Sequence, residues 1–165
     1  MCGICAIVVS ENGGEIRSFT GDGLLAFWPA YQKTQICSAV KTAMTTKWLV
    51  DIKLSSLFEK YKKIDFGIGI DWGNVYIVRA GIPRNSNNND LVFIGMCVNY
   101  ATAIANQAYG PNHVEISVDV YNNLLDDWKY GKSNGQRVDM WKDGKVKWKG
   151  IDYPSKFTDW HHKLD

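Results

Sequence analysis

The most informative stretch of this sequence is Gly13-Gly14-Glu15-Ile16-Arg17-Ser18-Phe19-Thr20-Gly21-Asp22-Gly23-Leu24-Leu25-Ala26-Phe27. Polar and apolar residues alternate before the glycines and a more apolar run follows them, which predicts a β-hairpin. Asp22 stands at its tip between two glycines, which bring no Cβ and tolerate positive φ. A carboxylate fixed on such a turn suits Mg²⁺, which takes one or two protein carboxylates. For this motif alone, a plain hairpin turn is the more common explanation.

Helical and strand patterns alternate on either side of this hairpin. Apolar residues three and four apart predict one long or slightly broken helix over residues 35–61. Further patterns predict a hairpin of strands 65–70 and 75–78, a strand at 91–94 followed by a helix at about 98–108, a strand at 114–118, a short helix with Asp119 as its N-cap, and a β-meander over 138–160 around a turn at 142–145. The strands and helices lack the regular period of a doubly wound sheet. We therefore predict an α/β (α+β) fold with a mixed, largely antiparallel sheet and helices on one face, in a single domain over residues 1–165.

Composition excludes several classes of function. The chain has 165 residues, of which 45% are hydrophobic and 22% charged, as in ordinary globular proteins. Its net charge of +2 is too small to indicate binding to nucleic acid or to a membrane surface. No apolar run is long enough to span a membrane, the start lacks the features of a signal peptide, and the four cysteines fit a reducing compartment. We expect a cytoplasmic protein, with Cys2 and Cys5 as small apolar residues rather than half of a zinc or redox motif.

Three further segments occur in the order and at the separations of one known family. Gly67-Ile68-Gly69-Ile70-Asp71-Trp72-Gly73 looks like a "GI-x-x-G" element, and Ile94-Gly95-Met96-Cys97-Val98-Asn99-Tyr100-Ala101-Thr102-Ala103 looks like "G-x-x-VN-x-A". Val114-Glu115-Ile116-Ser117, followed by Val120-Tyr121, matches the next strand and helix. Together with the "GG…GD…F" pattern of Gly13–Phe27, the chain resembles the class III nucleotidyl cyclases, from about Gly13 to Leu125.

The resemblance implies a ferredoxin-like fold and a head-to-tail homodimer with a nucleoside triphosphate bound in the shared interface. Such an enzyme is a phosphorus-oxygen lyase that forms a 3′,5′-cyclic mononucleotide and pyrophosphate, with two Mg²⁺ (or Mn²⁺) ions per active site. Asp22 matches one of the family's two metal-binding aspartates, and Asn99 matches the asparagine that orients the ribose from the partner subunit. Lys149, in Trp148-Lys149-Gly150, falls where the family has a lysine that contacts the triphosphate; a basic residue on an edge strand is an equally good explanation.

Two features depart from the family pattern. The other metal aspartate lies in the family's opening strand, and about a dozen residues precede Gly13, so we expect a class III cyclase fold lacking its first strand. Residues 2–10 then correspond to the end of the family's second helix. Ala103 occupies the place of the arginine that stabilises the transition state. Gln107, one helical turn further, could instead hydrogen-bond a phosphate.

The positions that read the base also differ from those of purine cyclases. Ser18 and Val92 stand where purine cyclases have longer or charged side chains, and we take Ser18, Phe19, Thr20 and Val92 as candidate substrate-binding residues. This pattern resembles the pyrimidine cyclases of bacterial anti-phage (Pycsar) systems, so the expected substrate is UTP or CTP. A catalytically silent cyclase-homology domain that dimerises or binds a nucleotide is the alternative. An RNA-binding module is disfavoured by the near-neutral charge.

Overall fold

The computed structural model describes residues 2–21, 23–54, 66–81, 89–108 and 113–163. Its helices are α1 (Cys2–Glu11), α2 (Lys33–Trp48) with a π-helical segment directly after it (Leu49–Leu54), α3 (Met96–Gln107), α4 (Val118–Asn123) and α5 (Asp126–Lys129). Its strands are β1 (Glu15–Thr20), β2 (Gly23–Phe27), β3 (Gly67–Ile70), β4 (Tyr76–Gly81), β5 (Asn89–Ile94), β6 (His113–Ser117), β7 (Tyr130–Ser133), β8 (Gln136–Asp139), β9 (Lys142–Trp148) and β10 (Ile151–Thr158). None of the helices in these ranges has the length and apolar character needed to cross a membrane.

The largest sheet has four strands in the order β3-β6-β10-β9. Strand β3 pairs in parallel with β6, whereas β6 with β10 and β10 with β9 are antiparallel. The pairs β1–β2, β4–β5 and β7–β8 are separate antiparallel ribbons. The predicted class, a mixed and largely antiparallel α+β fold, is confirmed.

The hydrophobic core lies between α2 and one face of the four-stranded sheet. Helix α2 begins after Gln32, whose backbone N–H donates to the Gln35 side chain at 2.7 Å. Its apolar residues then recur three and four apart, which turns an apolar side toward the sheet, and from Thr42 to Lys47 every residue of the helix is buried. The buried side chains of this core are Ile36, Cys37, Val40, Ala43, Met44, Val114, Ile116, Val120, Leu124, Met140 and Trp141.

Helix α3 packs on the opposite face of the same sheet. Ile68 and Ile70 of β3 contact the core beneath α2, while Gly67 and Gly69 face α3 because side chains alternate along a strand. A Cβ at Gly67 would overlap the carbonyl oxygens of Ala105 and Ala108. The prediction that the helices lie on one face of the sheet is therefore wrong for α3. This helix packs on the other face, where Gly67 and Gly69 allow its backbone to approach β3 closely.

Three local predictions are also wrong. Strand β3 does not form a hairpin with β4, because it pairs with β6 while β4 pairs with β5. Ser117 rather than Asp119 is the N-cap of α4, and its hydroxyl accepts a hydrogen bond from the Val120 N–H at 3.2 Å. The turn expected at 142–145 lies inside β9, and the chain reverses at Lys149 and Gly150 instead.

Two helix predictions have different outcomes. Helix α1 agrees with the interpretation of residues 2–10 as the end of a helix. The helix predicted over 35–61 is α-helical only to Trp48 and then continues as the π-helical segment to Leu54. The remainder of that prediction lies outside the described residues.

Candidate active site

A cavity of about 740 Å³ lies where the end of β3, the start of α3 and the β9–β10 hairpin meet. The base of the β4–β5 ribbon forms another part of its wall. The described residues that line it comprise two carboxylates, two side-chain amides, five aromatic rings and five smaller or apolar groups: Asp71, Asp119, Asn74, Asn99, Trp72, Tyr76, Tyr100, Trp148, Tyr153, Gly73, Gly95, Ile94, Met96 and Cys97.

Asn99 is the predicted site residue that the structure brings to this cavity. It lies in the first turn of α3, where its backbone N–H donates to the Gly95 carbonyl at 3.5 Å. Its side chain is exposed and lines the cavity. The amide can therefore donate to and accept from a ligand's hydroxyl groups, as the predicted ribose-orienting role requires.

Asp71 and Asp119 give the cavity two carboxylates. Asp71 follows β3 directly and hydrogen-bonds to the Ser117 side chain and to the Trp72 backbone. Burial raises the pKa of Asp71 above its usual value, and the nearby charge of Asp119 adds to this increase. The described lining contains these two acids and no lysine or arginine. The described part of the cavity is therefore acidic.

Three aromatic rings pack together beside Asn99. The Tyr100 ring centroid lies 5.4 Å from that of Trp148 and 5.6 Å from that of Tyr153, and the last two lie 5.8 Å apart. The Tyr100 hydroxyl is buried and has no hydrogen-bond partner among the described residues. Burial and the negative charge of Asp71 raise the pKa of Tyr100 to about 12. Tyr100 is therefore a neutral phenol at physiological pH.

Lys149 occupies the turn between β9 and β10. Its φ of 51° is in the left-handed region, and its Nζ lies 4.6 Å from the centroid of the Trp148 ring. Trp148 lines the cavity, whereas Lys149 is exposed and is not among the lining residues. One aromatic ring thus links the predicted triphosphate lysine to the cavity that contains Asn99.

The predicted base-reading residues lie on two neighbouring ribbons. The Arg17 guanidinium lies 4.7 Å from the Phe93 ring centroid, which brings β1 beside β5. Ser18 directly follows Arg17 and is half-buried, whereas Val92 directly precedes Phe93 and is 41% exposed. Neither residue lines the cavity. Phe19 is 56% exposed. These residues remain predictions of a substrate pocket.

The metal-binding prediction rests on Asp22, which lies outside the described residues, as does the Thr20 side chain. Within the described ranges, no group of three or more His, Cys, Asp or Glu side chains could hold a metal ion. The oxygen donors of the cavity are nevertheless of the type that Mg²⁺ prefers.

Gln107 does not act as the free phosphate ligand that its place on α3 suggested. Both polar atoms of its amide hydrogen-bond to the backbone of Lys147. Ala103, at the position of the family's arginine, offers only its carbonyl oxygen, which accepts from Gln107 Nε2 at 3.3 Å. Position 103 therefore supplies neither a positive charge nor a side-chain hydrogen bond.

The sequence motifs assign no functional role to Asp71, Asp119, Tyr100, Trp148 or Tyr153, and Asp119 was expected only as a helix N-cap. Asp71 lies in the "GI-x-x-G" motif and Tyr100 in the "G-x-x-VN-x-A" motif, each at a position where the family pattern leaves the residue open. A carboxylate directly after an apolar strand is a signal that could have drawn attention to Asp71. For Trp148 and Tyr153 of the β9–β10 hairpin, the sequence gives only one signal, the general abundance of aromatic residues toward the end of the chain.

Comparisons with known proteins support the assignment made from the motifs. No protein-family model matches the chain. It is 31% identical over 146 residues to a uridylate cyclase of Burkholderia cepacia, covering 81% of the chain and 56% of that protein. It is 28% identical over 167 residues to a uridylate cyclase of Xanthomonas perforans, covering 98% of the chain and 67% of that protein. The chain thus spans between about half and two thirds of the length of these curated relatives.

Solved structures show the same fold. The adenylyl cyclase CyaB from P. aeruginosa superimposes with a TM-score of 0.74 at 20% identity, covering 99% of this chain and 81% of that one. The guanylyl cyclase Cya2 gives a TM-score of 0.71 at 21% identity, covering 94% and 74%. The motifs, the fold and these relatives identify the chain as a class III nucleotidyl cyclase domain. Within this family it is close to the pyrimidine cyclases, because both curated relatives described above are named uridylate cyclase.

Proposed function

We propose that this domain works in a nucleotidyl cyclase that converts UTP or CTP into a 3′,5′-cyclic mononucleotide and pyrophosphate. The observation that carries the proposal is the position of Asn99, which lines a cavity of about 740 Å³ in a domain whose curated relatives are named uridylate cyclase. This volume is of the size that encloses a small-molecule ligand.

In the proposed reaction, the ribose 3′-oxygen attacks the α-phosphorus, the 3′-hydroxyl loses its proton, and pyrophosphate leaves. The Asn99 amide holds the ribose so that the 3′-oxygen is in line with the leaving group, and Lys149 binds the triphosphate. Positioning of this kind can lower a barrier by about 7–11 kcal/mol when the reacting atoms are held close and aligned.

Mg²⁺ or Mn²⁺, two per active site, is the proposed cofactor, with Asp22 as a ligand. When bound, such ions neutralise the charge that develops on the phosphate oxygens. The two carboxylates of the cavity support a requirement for cations, because Asp71 and Asp119 would otherwise repel the triphosphate.

We further propose that the domain acts as a homodimer in which Asp22 of one subunit and Asn99 of the other share a site. The β4–β5 ribbon supports this, because apolar side chains on both of its strands are exposed. Clusters of exposed apolar side chains are typical of protein interfaces. The exposed residues are Tyr76 (73%), Ile77 (53%), Val78 (42%), Leu91 (38%), Val92 (41%) and Ile94 (53%).

The preference for a pyrimidine rests on Ser18 and Val92. A pyrimidine has fewer polar edge groups than a purine, so one hydroxyl and nearby backbone atoms can pair with them. Each buried polar group of a purine left unpaired would cost about 1–3 kcal/mol. The role of the product as a cytoplasmic messenger in anti-phage defence is carried by the resemblance to the Pycsar cyclases.

The test is to incubate the full-length protein with each of the four ribonucleoside triphosphates and Mn²⁺ and to identify the products by mass spectrometry. We expect cyclic UMP or cyclic CMP as the main product. Cyclic AMP or cyclic GMP would contradict the pyrimidine assignment and keep the cyclase. The absence of any cyclic product would favour the silent regulatory domain, which the alanine at position 103 also favours.

Two inactive variants together test the shared site. Asp22→Asn and Asn99→Ala should each abolish activity, with the exposed Asn122→Ala as a matched control that retains it. An equal mixture should regain about one quarter of the wild-type activity, because half of the dimers are mixed and each has one intact site. A mixture that stays inactive, although the two variants exchange subunits, would contradict the shared site.

A further inference from the structure

A side chain from helix α3 hydrogen-bonds to the outer edge of strand β9, the edge that has no neighbouring strand in the described sheet. In the described sheet β9 is an edge strand, and such strands leave backbone N–H and C=O groups unpaired. At Lys147 the backbone N–H donates to Gln107 Oε1 at 2.8 Å, and Gln107 Nε2 donates to the Lys147 carbonyl at 2.6 Å. One amide therefore satisfies both backbone groups, as a neighbouring strand would.

A second contact joins the same helix to the same hairpin. Tyr100 precedes Gln107 by seven residues, which is close to two helical turns, so both side chains lie on one side of α3. The Tyr100 ring packs against Trp148 of β9 and Tyr153 of β10. Helix α3 thus holds the hairpin at two points, and one of them is adjacent to Asn99.

The position of the β9–β10 hairpin determines the position of Lys149, because the turn that contains this residue is short. Trp148 pairs with Ile151, so Lys149 and Gly150 alone form the connection, with φ values of 51° and 81°. A two-residue turn of this type has little conformational freedom. The Lys149 Nζ, which lies over the Trp148 ring, is therefore located by the strand that Gln107 holds.

We infer that Gln107 is a positioning residue, which fixes the β9–β10 turn and its Lys149 relative to the helix that carries Asn99. The functional part of this inference rests on the proposed function, in which Lys149 binds the triphosphate. The structural part, that Gln107 fastens the turn to α3, is independent of any activity.

Amide hydrogen exchange tests the structural part in the full-length protein. Gln107→Leu keeps the approximate size of the side chain and removes both hydrogen bonds, and the exposed Gln136→Leu on β8 is the matched control. We expect exchange at the Lys147 amide to become about tenfold faster in Gln107→Leu, which corresponds to one lost hydrogen bond. Acceleration confined to the β9–β10 hairpin and the end of α3 supports the inference. An unchanged rate, or an equal increase over the whole sheet, overturns it.

Binding of inorganic triphosphate tests the functional part. Lys149→Ala should weaken binding about tenfold, and Gln107→Leu several-fold, because the lysine loses its fixed position. The double variant should bind no more weakly than Lys149→Ala alone. Effects that multiply would show that Gln107 does not act through Lys149 and would overturn the coupling. A wild-type protein that does not bind triphosphate contradicts the proposed function. In that case hydrogen exchange still tests whether Gln107 fastens the β9–β10 turn to α3.

Discussion

Replacement of Gly69 by alanine tests whether close packing of α3 on β3 stabilises this domain. A Cβ at this position would overlap the carbonyl oxygen of Ala101 and the backbone nitrogen of Ala105, and would lie 2.9 Å from Ile104 Cβ. Because two of these atoms belong to the helix backbone, no change of rotamer relieves the overlap. The helix or the strand has to move as a unit.

The expected cost follows from this geometry. Restoring ordinary contact distances requires a separation of about 1 Å between α3 and β3. Ile104, which is fully buried between them, would lose contacts as the gap opens. Overpacking in a closely packed core costs about 1–3 kcal/mol, and the backbone origin of this overlap puts Gly69→Ala near the upper value.

Urea unfolding of wild type, Gly69→Ala and Gly73→Ala measures this cost. Gly73→Ala is the matched control, because its Cβ would meet only the Cys97 side chain, at 3.2 and 3.4 Å. We expect the control to lose less than about 1 kcal/mol. Ala105→Gly in the Gly69→Ala background should restore no stability, since side-chain trimming leaves the backbone overlap in place. A Gly69→Ala protein within about 0.5 kcal/mol of wild type would refute the reasoning.

Three further substitutions test the electrostatics of buried groups. Burial raises the pKa of Asp71, so the folded chain keeps this proton to higher pH than the unfolded chain, and stability falls as the pH rises from about 4 through the folded pKa. Asp71→Asn should remove this slope and raise the free energy of unfolding at pH 7 in urea titrations. Burial lowers the pKa of Lys47, a lowering that Asp159 and Asp51 oppose, so stability rises as the pH increases through the folded pKa toward the usual lysine value. Lys47→Met should stabilise the protein at pH 7 and flatten that rise; a loss of stability would show that the attraction to Asp159 and Asp51, together with the hydrogen bond from Lys47 Nζ to the Thr158 carbonyl, outweighs burial. Tyr100→Phe removes a buried hydroxyl without a described partner and should leave the melting temperature unchanged or raise it.

The elements that sequence patterns predicted correctly are those whose signals are local. The β1–β2 hairpin has alternating residues on one side of a glycine-flanked tip, and α3 has its apolar residues at helical spacing. Strand β3 failed because its partner is not local. It lies beside β6, which is more than 40 residues away, and nothing in Gly67–Ile70 distinguishes a parallel partner from a hairpin partner.

The turns show how tertiary contacts override local preference. Asp143-Gly144 is a common turn dipeptide, yet Gly144 lies within β9, where a Cβ would be 2.8 Å from the Ser155 hydroxyl. The glycine is used for close packing rather than for reversal. Asn134-Gly135, with φ values of 50° and 78°, does form the β7–β8 turn, but its flanking strands are too polar to give an alternating signal.

The candidate site was predictable only where a motif names the residue. Asn99 follows from the "VN" pattern, whereas the cavity around it depends on how far α3 approaches the sheet. Gly67 and Gly69 place no side chain of β3 between the strand and α3, and this close approach accompanies the contact of Tyr100 with Trp148. The alternation of glycine and isoleucine in β3 therefore has two consequences at once. The isoleucines complete the core beneath α2, and the glycines determine how closely the helix that carries Asn99 approaches the sheet.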